Sequence, residues 1–169
     1  MIITFCAKKD ARLSFWINKI ACLVASKNRL PNIMPYLSGQ ITRDQYLSRI
    51  IPGYQAFTYA NKHLPKDAYV WMTIWEARGY FLDRRYMWAN LISQRDFVWE
   101  HIDDPHRLAD ELRSRGFTHI LFQTTDTYQY VYNDYPHNQK IANLVLGMLK
   151  SNASLIYRAE PIELYRLKP

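Results

Sequence analysis

Arg78 is the residue whose type and setting best suit ligand chemistry in this 169-residue chain. It lies in Glu76-Ala77-Arg78-Gly79-Tyr80, just after the apolar run Tyr69-Val70-Trp71-Met72-Thr73-Ile74. That run predicts a strand, and in open α/β sheets ligands gather outside the carboxyl ends of strands. A guanidinium there can grip a phosphate or carboxylate through two parallel hydrogen bonds. The competing use is an ion pair with Glu76, Asp83 or a neighbouring helix. Tyr80 and Arg85 stand close in sequence and complete this half of the candidate ligand set. A second half follows the strand predicted over Thr118 to Phe122: Tyr128, Tyr130 and Tyr132, with Tyr135 beyond. Tyrosines there can stack on sugar rings or lie in a headgroup layer, because each joins an apolar body to a polar tip. Their competing use is to pack the loop onto its own domain.

Other chemistry finds little footing. No Gly-x-Gly-x-x-Gly follows Ile74 or Phe122, no phosphate-binding P-loop is present, and no Gly-x-Ser-x-Gly elbow presents a nucleophile. His63, His101, His106, His119 and His137 never fall at a paired metal-ligand spacing within a shared helix. Asp103 and Asp104 could hold a hard cation, but a helix cap explains them with fewer assumptions. His119 opens a strand, where a half-buried imidazole donating to a backbone carbonyl is expected; ligands favour the other end. Cys6 and Cys22 give no disulfide framework and are expected as two thiols. The residues therefore supply no catalytic constellation, no metal site and no cofactor motif.

The elements that would position these residues can be traced along the chain. Thr42-Arg43-Asp44-Gln45 starts a helix with a capping box, and Pro52-Gly53 should interrupt it. Its apolar positions are Tyr46, Leu47, Ile50, Ile51, Tyr54, Phe57 and Ala60. Leu64-Pro65-Lys66-Asp67 is a turn into the strand at 69–74. Glu76 to Phe81 suits a short helix, Tyr86-Met87-Trp88 a weaker strand, and Gln94 to His101 a helix. Pro105 to Arg115 is an amphipathic helix capped by Asp103 or Asp104 and stopped by Gly116. The strand Thr118 to Phe122 is apolar on both faces, as parallel strands are. A helix from Asn138 to Lys150 precedes a hairpin whose strands flank Glu160-Pro161. This order predicts an α/β fold, a three-layer sandwich with a mixed, largely parallel sheet and a C-terminal β-hairpin. Residues 40–169 are expected as one such domain after a basic helical arm at 1–39.

Charge is concentrated in that arm. Residues 1–31 carry Lys8, Lys9, Arg12, Lys19, Lys27 and Arg29 against Asp10, so +5 of the chain's net +7 lies there and +2 elsewhere. Such an arm stays solvated or meets an anionic membrane surface; the near-neutral body argues against nucleic acid. Leu13 to Ala25 suits a helix that packs on a core or lies in an interface. Interrupted by Lys19, it falls short of the about 20 apolar residues of a membrane span.

Several runs together resemble a known family. They are Arg43-Asp44-Gln45-Tyr46-Leu47-Ser48-Arg49, Pro52-Gly53-Tyr54 and Leu64-Pro65-Lys66-Asp67-Ala68-Tyr69-Val70. Glu76 to Leu82, Arg85-Tyr86, Leu112 to Leu121 and Leu164-Tyr165-Arg166-Leu167 continue the series. Their order resembles the region after the last membrane span in bacterial GT-C type glycosyltransferases related to dolichyl-phosphate-mannose–protein mannosyltransferases. The resemblance covers roughly residues 40–169. It implies an extracytoplasmic, periplasmic C-terminal domain serving acceptor recognition or support of the membrane portion. Catalysis in that family belongs to the membrane portion, so no catalytic residue carries over. The resemblance further implies a membrane-associated partner, a carbohydrate or lipid-linked sugar ligand, and a chain that is a fragment, a standalone relative or a truncated form. The alternative expectation is a soluble α/β protein, binder or enzyme, for a sugar or phosphate.

Overall fold

The computed structural model describes residues 33–74, 78–89, 101–124 and 136–169. The chain divides into two compact units, Met1–Ile50 and Ile51–Pro169. The helix expected over 13–25 lies outside the described residues, as does the one expected over 94–101 except for His101.

In the first unit, α1 (Met34–Leu37) and α2 (Arg43–Ile50) bury no residue. The Thr42 hydroxyl accepts from the Gln45 amide at 3.2 Å, and the Gln45 side chain accepts from the Thr42 amide at 2.8 Å. This is the reciprocal capping box expected from the sequence. The Tyr36 and Tyr46 rings stack with centroids 5.4 Å apart.

The second unit starts at the Pro52-Gly53 interruption, where Gly53 takes φ +76. A Cβ there would lie 2.5 Å from Ile162 Cγ1, so both the backbone and the packing demand glycine. α3 (Tyr54–His63) then buries Tyr54, Ala56, Phe57 and Ala60. β1 (Tyr69–Thr73) follows, then a 3₁₀ turn at Gly79–Phe81 and β2 (Arg85–Trp88). α4 (Pro105–Ser114) leads to β3 (His119–Gln123), and α5 (Pro136–Asn152) to β4 (Ala153–Ala159) and β5 (Ile162–Leu167). The short helix expected over Glu76–Phe81 is only the 3₁₀ turn within the described residues.

The sheet runs β2-β1-β3-β5-β4. β1, β2 and β3 are parallel, and β5 runs antiparallel to both β3 and β4. Alternation along each strand divides the core in two. Val70, Met72, Leu121, Ile162 and Leu164 pack with α3 residues Ala56, Phe57 and Ala60. Trp71, Ile120 and Phe122 pack with Leu108 and Leu112 of α4 and Ile141, Val145 and Met148 of α5. Helices thus cover both faces of a mixed sheet, the three-layer α/β sandwich expected from the order of elements.

Local signals close the elements. The Asp104 carboxylate accepts from the His106 and Arg107 amides at 2.7 and 3.0 Å, with Pro105 in the first turn. At the other end of α4, Gly116 at φ +84 donates to the Arg113 carbonyl, and the Phe117 amide reaches back to Leu112. That pair of bonds is a Schellman motif, and Phe117 and Leu112 join the same core cluster. Strand β3 is then locked to β1 at its first turn: the Thr118 amide donates to the Tyr69 carbonyl at 2.9 Å, and the Tyr69 amide to the Thr118 hydroxyl at 3.1 Å.

Candidate functional site

Parallel pairing sets the carboxyl ends of β1 and β3 side by side, with Thr73 in register with Phe122. This edge, where the chain leaves β1 and β3, is the place for a ligand in such a sheet. Arg78 follows β1 there and is half-buried. Its Nη1 donates to the Pro52 carbonyl at 2.9 Å. The guanidinium therefore ties the chain after β1 to the turn before α3. Tyr80 projects from the 3₁₀ turn and is 74% exposed, its ring 4.2 Å from that of Phe81.

Arg85 stands elsewhere. It opens β2 in register with Tyr69, the first residue of β1, so it sits at the amino end of the sheet. Its guanidinium lies 4.1 Å above the Tyr69 ring. Arg78 and Arg85, seven positions apart, thus stand at opposite ends of the strands. The intervening chain descends along α3: Asn61 of that helix holds the Phe81 carbonyl and the Asp83 amide at 2.8 and 2.7 Å. Tyr128, Tyr130, Tyr132 and Tyr135 lie outside the described residues, as do Glu76 and both cysteines.

Asp103 and Asp104 serve α4. Arg107 reaches them at 3.3 and 3.7 Å, and Asp104 caps the helix. The Arg107 amide, foremost, holds the Asp104 carboxyl below its ordinary value. Among the described residues no group of three His, Cys, Asp or Glu side chains could hold a metal ion.

His119 departs from the sequence expectation. It is buried rather than half-buried, and its Nδ1 lies 2.8 Å from the Thr118 hydroxyl rather than at a backbone carbonyl. Its Nε2 is buried with no hydrogen-bond partner. Burial, then the Arg166 charge on β5, push its pKa below the usual histidine value. The reason is register: His119 pairs with Val70 on one side and Arg166 on the other, inside the sheet.

Two arrangements escaped sequence reasoning. Arg84 donates to the carbonyls of Asn61, Leu64 and Pro65 at 2.7 to 2.9 Å, tying the last turn of α3 to the segment that leaves it. Glu163 is buried on β5, with Arg158 Nε at 2.5 Å from one oxygen and the Tyr165 hydroxyl at 2.5 Å from the other. Burial and this bond hold the Tyr165 hydroxyl above its ordinary value. With a partner on each oxygen, Glu163 locks the hairpin and is not arranged as a free acid or base. Alternation along the hairpin carried the only signal for it, since Arg158 and Glu163 fall opposite each other once the turn is set at Glu160-Pro161.

Two open hollows of about 440 and 470 Å³ flank α4, one along Arg107, Glu111 and Arg115, the other between Asp103 and Lys140. Neither includes Arg78, Tyr80 or Arg85. No protein-family model, no curated protein and no solved structure matches the chain. Among the described residues no helix is long and apolar enough to cross a membrane.

Proposed function

We propose that this chain is a non-catalytic accessory or acceptor-recognition domain of a membrane glycosyltransferase-like system, working at the extracytoplasmic face. The observation behind this reading is the convergence of the resembling segments. Leu64 to Val70 leads into β1, Arg85-Tyr86 opens β2, Leu112 to Leu121 carries the end of α4 into β3, and Leu164 to Leu167 lies in β5. Runs scattered over 100 residues of sequence thus meet in four adjacent strands, β2-β1-β3-β5. An acceptor would meet the surface around Tyr80, the most exposed large aromatic side chain described.

Site-specific crosslinking tests this. With p-benzoylphenylalanine placed at residue 80, irradiated cells should yield adducts to a polytopic glycosyltransferase or to its glycosylated acceptor. Purified chain given polyprenyl-phosphate mannose should release no sugar. Turnover by the chain alone, or adducts confined to unglycosylated proteins with no membrane spans, would overturn the proposal.

A further inference from the structure

We infer that residues 33–37 dock the first unit onto an anionic membrane surface, drawn there by the basic arm that precedes them. Ile33, Met34 and Leu37 are exposed at 44%, 61% and 66%. Spacings of three and four residues bring Leu37 beside both of the others on one face of the turn. The turn does not owe its shape to burial. Six consecutive amides, Tyr36 to Ile41, each donate to a backbone carbonyl at 2.9 to 3.1 Å, and neither α1 nor α2 buries a residue. An ordered turn therefore presents large apolar side chains to solvent, a disposition that marks a contact surface. Tyr36, stacked on Tyr46, adds an aromatic ring with a polar tip of the kind that sits at headgroup level.

The charge next to this patch selects the partner. The arm's net +5 ends with Lys27 and Arg29. Arg29 is four residues from Ile33, so even a fully extended chain holds it within about 14 Å of the patch. That upper bound is under two of the about 8 Å screening lengths of physiological salt, so the arm's pull on an anionic surface strengthens as salt falls. An apolar insertion and a polybasic segment are each marginal membrane anchors, and their combination binds stably to anionic bilayers. A nucleic acid would use the cations but give Ile33 and Leu37 no apolar medium. A second copy would bring a like-charged arm to the same contact.

This inference goes beyond acceptor recognition and does not need it: vesicle binding can be lost while adducts at residue 80 persist, or the reverse. The test is sedimentation of the full chain with phosphatidylglycerol–phosphatidylcholine vesicles and with pure phosphatidylcholine vesicles, at low and high salt. Wild-type chain should bind the anionic vesicles, bind neutral ones far less, and weaken as salt rises. The double variant Ile33→Ser, Leu37→Ser keeps every charge and should bind anionic vesicles about tenfold more weakly or worse. Its circular dichroism and melting temperature should match the wild type, because both side chains are exposed. Unchanged binding by the variant would mean that the arm acts alone and would overturn the inference. So would absence of wild-type binding, or a wild-type dimer that the variant dissolves with no effect on vesicles.

Discussion

At the scale of single residues, His119 makes the second unit acid-sensitive. Its imidazole is buried and its Nε2 has no hydrogen-bond partner, so a second ring proton would have nowhere to go. The folded state holds its pKa below the ordinary 6.5, while the unfolded chain does not. The unfolded state therefore takes up the proton first, and stability falls as pH drops from about 6.5 through the lowered folded value. Above about 6.5 the contribution is complete. Asp104, whose ordinary value is 3.8 and is lowered in the fold, loses its contribution only in stronger acid. The His119 window therefore opens at the higher pH. Urea midpoints measured at mildly acid and at neutral pH should fall for the wild type and flatten for His119→Leu. An equal pH slope in both proteins would show that His119 is not the group responsible. The sequence suggested a histidine at a strand start, but its burial depends on Arg166 and Val70 flanking it, and neither partner is local.

At the scale of elements, most ends of helices were legible and most side-chain clamps were not. Thr42 with Gln45, Asp104 with Pro105, and Gly116 each act within five residues, so composition and spacing reveal them. Arg84 acts across about 20 residues and gave no such signal. Its fork reaches the Asn61 carbonyl in the last turn of α3 and the Leu64 and Pro65 carbonyls just past it, where the helix has no further amide to donate. Lysine keeps the charge but cannot span them. Arg84→Lys should therefore cost about 1.5–3 kcal/mol in urea unfolding, the worth of hydrogen bonds from a charged donor. A loss indistinguishable from zero would mean that water replaces the fork without penalty.

At the scale of the molecule, β5 is the strand on which the sheet depends. It lies between β3 and β4, and it supplies Ile162 and Leu164 to one core and Leu167 to the other. Burial of three such side chains is worth about 5–9 kcal/mol. That approaches the whole stability of a typical domain, about 5–15 kcal/mol. A chain ending at residue 160 should therefore fail to fold, with collapsed amide dispersion in its NMR spectrum and rapid proteolysis. Native-like dispersion from that shortened chain would contradict this account of the sheet.

The sequence by itself determined α2, α4 and α5, the cap of α2, the cap and stop of α4, the interruption at Pro52-Gly53, the strands by their apolar runs, and from their order a three-layer α/β sandwich. These are properties of neighbouring residues, fixed by backbone sterics and by side-chain alternation. Only the tertiary structure decided which residues meet. It set Arg78 and Arg85 at opposite ends of the parallel strands, gave Arg78 the Pro52 carbonyl, buried His119, and joined Glu163 to Arg158 and Tyr165. Each of these depends on strand direction and register. Pairings such as Tyr69 with Thr118 span 49 residues, and no local preference specifies them.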